Sequence, residues 1–434
     1  MDPIASALPR RSFDDGGSQT ACLDSGGIER RTLLAMMGIA ALGRLPEQHP
    51  PPTPRGAEAR LEEPAAADTL TLFLCGDVML GRGIDQILSH PSDPQLYERA
   101  VSSAIGYVEL AERANGPIPR SVEPSYVWGD ALDALRDARP DARIINLETS
   151  VTRNSRAMPK GINYKMHPDN ISCLTSAKID CCVLANNHVL DWGREGLFET
   201  LDTLKKAGIG SAGAGRNAAE ASAPAVLEPR GKGRVLIFAF GLASSGIPST
   251  WAASDNAPGV NLLDDLSLRS VARIGRQTHS ARGSAGVLVA SIHWGGNWGY
   301  DIPDEWRNFA HGLIDEAGID IVHGHSSHHP KGLELYKQKL ILYGCGDFLN
   351  DYEGIAGYEA FRDDLVLMYL PKVSVSDGRL LELTMTPFQI RKFRLNRAAR
   401  EDALWLYRTL ARESLKLSSH LTLRDDSSMA LLPQ

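Results

Sequence analysis

The chain has 434 residues, 43% hydrophobic and 23% charged, with a formal net charge of -7. These proportions are those of an ordinary globular protein and exclude a fibrous or largely disordered chain. No strongly basic block is present, which argues against nucleic acid as a partner.

Residues 1–68 read as a leader and linker. In "ERRTLLAMMGIAALGRLP" the pair Arg30 and Arg31 precedes an apolar run from Leu33 to Leu42. That run is too short to span a bilayer but suits the core of a twin-arginine type signal. The chain is therefore expected to be cytoplasmic or exported, according to whether the leader is cleaved. "HPPPTPRGAEARLEEPAAA" follows as a linker by composition. No transmembrane helix is expected. The six cysteines include no C-x-x-C pair and read as small, buried, reduced thiols.

Order begins at residue 69. In "DTLTLFLCGDVMLGRG" an apolar run from Leu70 to Leu74 meets a Gly-rich turn, the pattern of a buried strand feeding a loop. The pattern recurs in "ARIINLETS", "DCCVLANNH", "RVLIFAFGL", "GVLVASIHWGG", "GIDIVHGHSSH" and "KLILYGCGD". Between these lie helices. "REGLFETLDTLKKAG" puts Leu197, Leu201 and Leu204 on one face with Gly208 as a stop, and "DEWRNFAHGLIDEAG" does the same with Trp306, Phe309 and Leu313. Strands alternating with helices predict an α/β fold. Near the end, "LVLMYL" and "RLLELTMTPFQIRKFRL" predict two sheet-edge strands and "REDALWLYRTLARESL" a helix. The simplest partition is one domain over residues 69–415 and a C-terminal tail over 416–434.

The strand ends share a chemistry. Asp77, Glu148, Asn187, His188, His293, His325 and His328 all stand where an apolar run stops, the place where open α/β sheets carry ligand sites. Each has a plainer role when taken singly: Asp77 as a helix cap, Asn187 in a turn, His293 as a packed core histidine. Together they are a set of carboxylate, amide and imidazole ligands. Such a set suits Mn, Fe, Zn or Mg better than a soft thiolate site would, and has room for one or two divalent ions, a pair lying about 3.5 Å apart as in two-metal hydrolases.

The ordered pieces "GDVMLGR", "NLETSV", "ANNHVLDWGREGLFETLDTLKKAGI", "GAGRNAAEA", "IHWGGN" and "GHSSHHPKGLELYKQKLILYGCGDF" resemble the CapA family of bacterial poly-γ-glutamate capsule synthesis proteins. The resemblance implies a calcineurin-like metallophosphatase fold, a four-layer α-β-β-α sandwich of two mixed sheets. It places Asp77 as the first metal aspartate, with Met79 where phosphatases of this kind carry a histidine, and Glu148 at the position of a bridging carboxylate. Asn187 then ligates, and His188 acts as an acid or charge stabiliser. His293, His325 and His328 complete the ligand set. "GCGDF" departs from the family's usual "LGNF" and leaves Cys345 and Asp347 near the site.

Around that set, Arg82 would either hold a phosphate or carboxylate or face solvent, and Asp191 would either orient His188 or cap the helix that follows, while Lys165 and His167 are further candidates to line the same cleft. Of the clustered histidines, His323 is expected to pack behind the site and His329 to face the rim. The implied function is metal-dependent, hydrolase-type work in capsule synthesis on an anionic small molecule, polymer or peptide. A peptide epimerase of the lasso-peptide type and a non-enzymatic scaffold in polymer export are the alternatives. Capsule or peptide-maturation machinery is the expected company.

Overall fold

The computed structural model describes residues 68–282 and 286–433; the leader and most of the linker, with the twin arginine, lie outside the described residues. The first part of the chain gives to the first large sheet the strands β1 (Thr69–Val78), β2 (Ala142–Leu147), β3 (Cys181–Val183) and β4 (Gly210–Ala212). The middle of the chain supplies β5 (Val235–Leu242), β6 (Val287–His293), β7 (Ile321–His325), β8 (Leu333–Tyr336), β9 (Lys339–Leu342) and β10 (Asp347–Leu349). The remainder adds β11 (Leu365–Ser374), β12 (Leu380–Ile390), β13 (Leu421–Leu423) and β14 (Met429–Leu431), with a short strand Leu395–Arg397 pairing β12.

They form two large mixed sheets. The first runs β13-β14-β12-β11-β1-β2-β3-β4, with β10 also pairing β1 at its end. Here β1, β2, β3 and β4 are parallel, while β11 is antiparallel to β1. The second sheet has β5, β6, β7 and β9 in parallel, with β8 returning antiparallel to β9. Strands covered on both faces read as continuous apolar runs, and β1 and β6 are of this kind.

Alternation decides where each side chain goes. Leu72, Leu74 and Ile144 of the first sheet share a buried cluster with Ile237, Val289 and Ile321 of the second. Their neighbours Phe73 and Ile145 point the other way, against Leu197 and Leu201 of the helix Gly193–Lys206. Phe238, Leu288 and Val322 pack against Ile274, Phe309 and Leu313 of the helices Leu268–Arg282 and Asp304–Asp315. The adjacent cysteines Cys181 and Cys182 obey the same rule, entering different clusters. All five cysteines among the described residues are free and buried.

Two expectations are corrected. The late strands are not both at an edge, because β11 pairs directly with β1 in the interior of the sheet. Residues 416–434 are not a tail either: β13 and β14 extend the sheet beyond β12. Leu421, Met429 and Leu431 bury into the cluster between the sheets, and that burial holds the segment in place. Among the described residues no helix is long and apolar enough to cross a membrane.

Candidate metal centre

Register builds the imidazole side. β6 and β7 pair Ser291 with His323 and His293 with His325. All four lie on the strand face that carries Val287, Val289 and Ile321 further back, so one face changes from apolar to polar as the strands end. His293 Nδ1 and His325 Nδ1 stand 2.8 Å apart, and His293 Nε2 is 3.1 Å from Asn187 Oδ1. Burial above all pushes both imidazoles well below their ordinary pKa, with neighbouring imidazoles adding to it. They are neutral at pH 7, the state in which histidine binds metals.

The carboxylate side is set by the backbone. Asp77 ends β1 in register with Asn146 of β2 and Asp347 of β10. Just before it, a Cβ on Gly76 would lie 1.7 Å from the carbonyl oxygen of Gly346, an approach that glycine alone permits. Asp77 accepts from Asn146 Nδ2 at 2.7 Å and from the Ser326 amide at 3.2 Å, with its Oδ1 3.9 Å from His325 Nδ1. Asp347 Oδ1 is 2.8 Å from His328 Nδ1, and Asn350 donates to its other oxygen at 2.8 Å. Glu148 Oε1 lies 3.7 Å from His188 Nε2 and 3.9 Å from His293 Nε2, while its Oε2 is buried with no hydrogen-bond partner.

Burial first, and Asp347 second, push Asp77 up to about 7. Glu148 goes well up, through burial and then the charges of Asp77 and Asp347. For His328, burial disfavours the cation, but the Asp347 carboxylate outweighs it and the net shift is upward.

Two ligand groups emerge, each with its ligand atoms within 4.8 Å of one another: Asp77, His293 and His325, and Asp77, His328 and Asp347. The carboxylate common to both is Asp77, whereas Glu148 was expected to bridge. Glu148 stands beside the groups, its Oε1 near His188 and His293. The residues fit a divalent cation: crowded buried carboxylates, one bare oxygen and neutral imidazoles are costly alone and are satisfied together by positive charge. Asp347 joins the residues that could hold an ion.

His188 sits at the mouth of this cluster. Its Nδ1 is 2.6 Å from Asp191 Oδ2, which also accepts from the Tyr164 amide at 2.7 Å. Burial holds the ring down to about 4, against the pull of Asp191. Asn186 fastens the loop, accepting from the amides of His188 and Val189 and donating to Leu147 O. Lys160 was not foreseen. Its Nζ donates to Asp191 Oδ1 at 2.7 Å and to Asn187 O, and lies 3.4 Å from His188 Nδ1. A single lysine in the loop "AMPKGI" carries no spacing signal that would have exposed it.

Arg82 is corrected in role. Its buried guanidinium is held by the protein's own carboxylates, Asp351 at 2.5 and 3.1 Å and Glu98 at 3.1 Å, with Tyr107 Oη at 2.9 Å. No arm of it is left for a substrate anion. Met79 is buried with its sulfur 3.8 Å from Tyr352 Oη. His329 does not face solvent: it is buried, 4.7 Å from the Phe361 ring, and its Nε2 accepts from the Gly299 amide at 3.1 Å. Lys165 lies over the Trp192 ring and His167 caps a short 3-10 turn, so neither joins the cluster. Cys345 is buried and its thiol is pushed well up, chiefly by burial.

The bacterial capsule synthesis protein PGA_cap family matches residues 71–352. The chain is 45% identical over 368 residues to a probable polyglutamine synthesis accessory protein of Mycobacterium tuberculosis, covering 84% of this chain and 97% of that one. It is 25% identical over 305 residues to the PGA biosynthesis protein CapA of Bacillus subtilis, covering 70% and 68%. A solved structure of a novel phosphatase from Mycoplasma pneumoniae is a looser likeness, with 10% identity and a TM-score of 0.40 over 74% of this chain and 94% of that one. With most of the ordered chain inside the match, and with the metal-ligand types at its strand ends, this chain belongs to the bacterial capsule synthesis PGA_cap family, that of CapA.

Proposed function

We propose that this chain serves poly-γ-glutamate capsule synthesis and that its buried cluster is a divalent metal centre, with one or two ions, of hydrolase type. The three hydrophobic clusters are read with it as the interfaces of a four-layer α-β-β-α sandwich of the metallophosphatase kind. The observation that carries the reading is the sharing of Asp77 by two ligand groups beside a Glu148 oxygen that is buried and unpaired. Divalent ions held by Asp77, Asp347, His293, His325 and His328, with Asn187 and Glu148 alongside, would supply Lewis acidity and a nucleophilic water at neutral pH.

His188 works next to them. Asp191 accepts from Lys160 on one oxygen and receives the His188 Nδ1 hydrogen on the other, which leaves Nε2 bare and turned toward Glu148. That nitrogen takes a proton from the attacking water and returns it to the leaving group, an amine if the scissile bond is a γ-glutamyl amide. It is thus a base before it is an acid. Lys160 holds the Asp191 carboxylate in place through the cycle by donating to its Oδ1, and Tyr164 fixes the ring plane from the edge, 4.5 Å away.

The test is metal analysis of the purified full chain together with hydrolysis of γ-glutamyl oligomers. Bound divalent ions in the wild type, and a His188→Ala variant that keeps its ions but loses about 10²- to 10⁴-fold in rate, support the reading. A wild type that binds no divalent ion under metal-replete conditions sinks it. Capsule formation undiminished by His188→Ala would favour the scaffold instead.

A further inference from the structure

We infer that His323 and Ser291 fix which nitrogen of His325 faces the centre, and that His325 presents Nδ1; this rests on the metal centre proposed above. The four groups form a chain. His323 Nε2 is 2.7 Å from the carbonyl oxygen of Cys75, and His323 Nδ1 is 3.0 Å from Ser291 Oγ. Ser291 Oγ is in turn 2.8 Å from His325 Nε2. His323, Ser291 and His325 are all buried, so bulk water is no alternative partner for any link.

The chain has one direction because it starts on an atom that cannot donate. A carbonyl oxygen only accepts, so His323 Nε2 carries the ring's hydrogen and donates it to Cys75. A neutral imidazole has a single N–H, and His323 Nδ1 must therefore accept. The donor it meets is the Ser291 hydroxyl. That hydroxyl has one hydrogen, now committed, and so Ser291 Oγ accepts from His325 Nε2. His325 is left with its lone pair on Nδ1, 2.8 Å from His293 Nδ1 and 3.9 Å from Asp77 Oδ1.

His328 is arranged the opposite way. Its Nδ1 is taken by Asp347 at 2.8 Å, so its free nitrogen is Nε2. The two closing histidines reach the centre through different ring atoms, each chosen by the partner on the other nitrogen. His323 touches neither ion nor substrate; it is a positioning residue, acting through Ser291 across the register pair that joins β6 to β7.

The experiment uses the full chain with Mn²⁺ as the probe. Side-chain ¹⁵N spectra of the metal-free wild type are expected to show His325 protonated on Nε2 and bare on Nδ1. Ser291→Ala and His323→Met, which delete a link, should mix the two tautomers and weaken Mn²⁺ binding about 10- to 100-fold by calorimetry. His323→Gln keeps a donor at one end and an acceptor at the other, and should hold both the tautomer and an affinity within about threefold of wild type. A His325 protonated on Nδ1 in the wild type overturns the inference, as does unchanged affinity in folded Ser291→Ala. Should the wild type bind no Mn²⁺, the metal reading fails, while the spectra still decide the relay.

Discussion

Two clusters of buried carboxylates lie close together in this chain and are handled differently. Asp351 and Glu98 are joined by Arg82, which covers both Asp351 oxygens and reaches Glu98 with its remaining arm. Asp77, Glu148 and Asp347 have no such arginine or lysine hydrogen-bonded to them among the described residues. Their donors are amides of Asn146, Asn350 and Ser326, and the ring of His328. Buried charge needs opposite charge. Where the chain supplies a cation the cluster is finished, and where it does not the cluster could hold one from outside.

The contrast can be broken from either side. The largest expected effect is at the finished cluster: Arg82→Met leaves Asp351 buried, and Glu98 half-buried, without their partner and should cost about 3–5 kcal/mol in chemical denaturation, with the metal content of the folded fraction unchanged. At the other cluster, Asp77→Asn removes the shared ligand and should weaken Mn²⁺ binding by at least about 100-fold, about 2.7 kcal/mol, read by calorimetry. The variant should also lose the rise in melting temperature that Mn²⁺ gives the wild type.

Asp85 is a third case, buried and hydrogen-bonded by neutral donors: the amides of His167 and Ser92 and the side chains of Asn170 and Gln86. Burial, working against those donors, pushes it up to about 6 from an ordinary 3.8. The folded state therefore holds this proton more tightly than the unfolded one. The associated stability is complete below about pH 3.8 and is lost as pH rises through about 6, an amount of about 2–3 kcal/mol. Denaturation of wild type and Asp85→Asn across that window should differ in slope accordingly; parallel pH profiles would show that the donors neutralise the burial cost. The smallest effect is at the unpaired oxygen. Glu148→Gln should raise the stability of metal-free protein at pH 7 by about 1–3 kcal/mol while weakening Mn²⁺ binding, because it removes a carboxyl whose ionised form the buried, unpaired site disfavours.

These partners explain what could be read from sequence and what could not. Strand ends were legible because a period of two and an abrupt change from apolar to polar are local signals, which is why Asp77, His293 and His325 could be named and fall together. Arg82 and Asp351 are 269 positions apart, and nothing near Arg82 in "LGRGID" distinguishes an arginine held by the protein from one left for a ligand. Lys160 reaches Asp191 across a loop with no periodicity. His329 looked exposed beside Pro330, but the rings that cover it, Trp298, Tyr300 and Phe361, come from two other loops. The last strands were missed because "LTL" and "MAL" are too short to signal alone; they become strands by pairing with β12 and with each other. That Asp77 belongs to both ligand groups depends on backbone register across β1, β2 and β10, which is not visible in a list of ligand types.

The contact between Gly76 and the Gly346 carbonyl acts as a gauge. No side chain intervenes there, so the backbones that carry Asp77 and Asp347 are spaced by main chain alone. A change at a ligand found in one group alters one candidate ion site. A single methyl at position 76 would instead reset the spacing for both at once, which makes this silent pair of glycines the point from which the geometry of the whole centre is tuned.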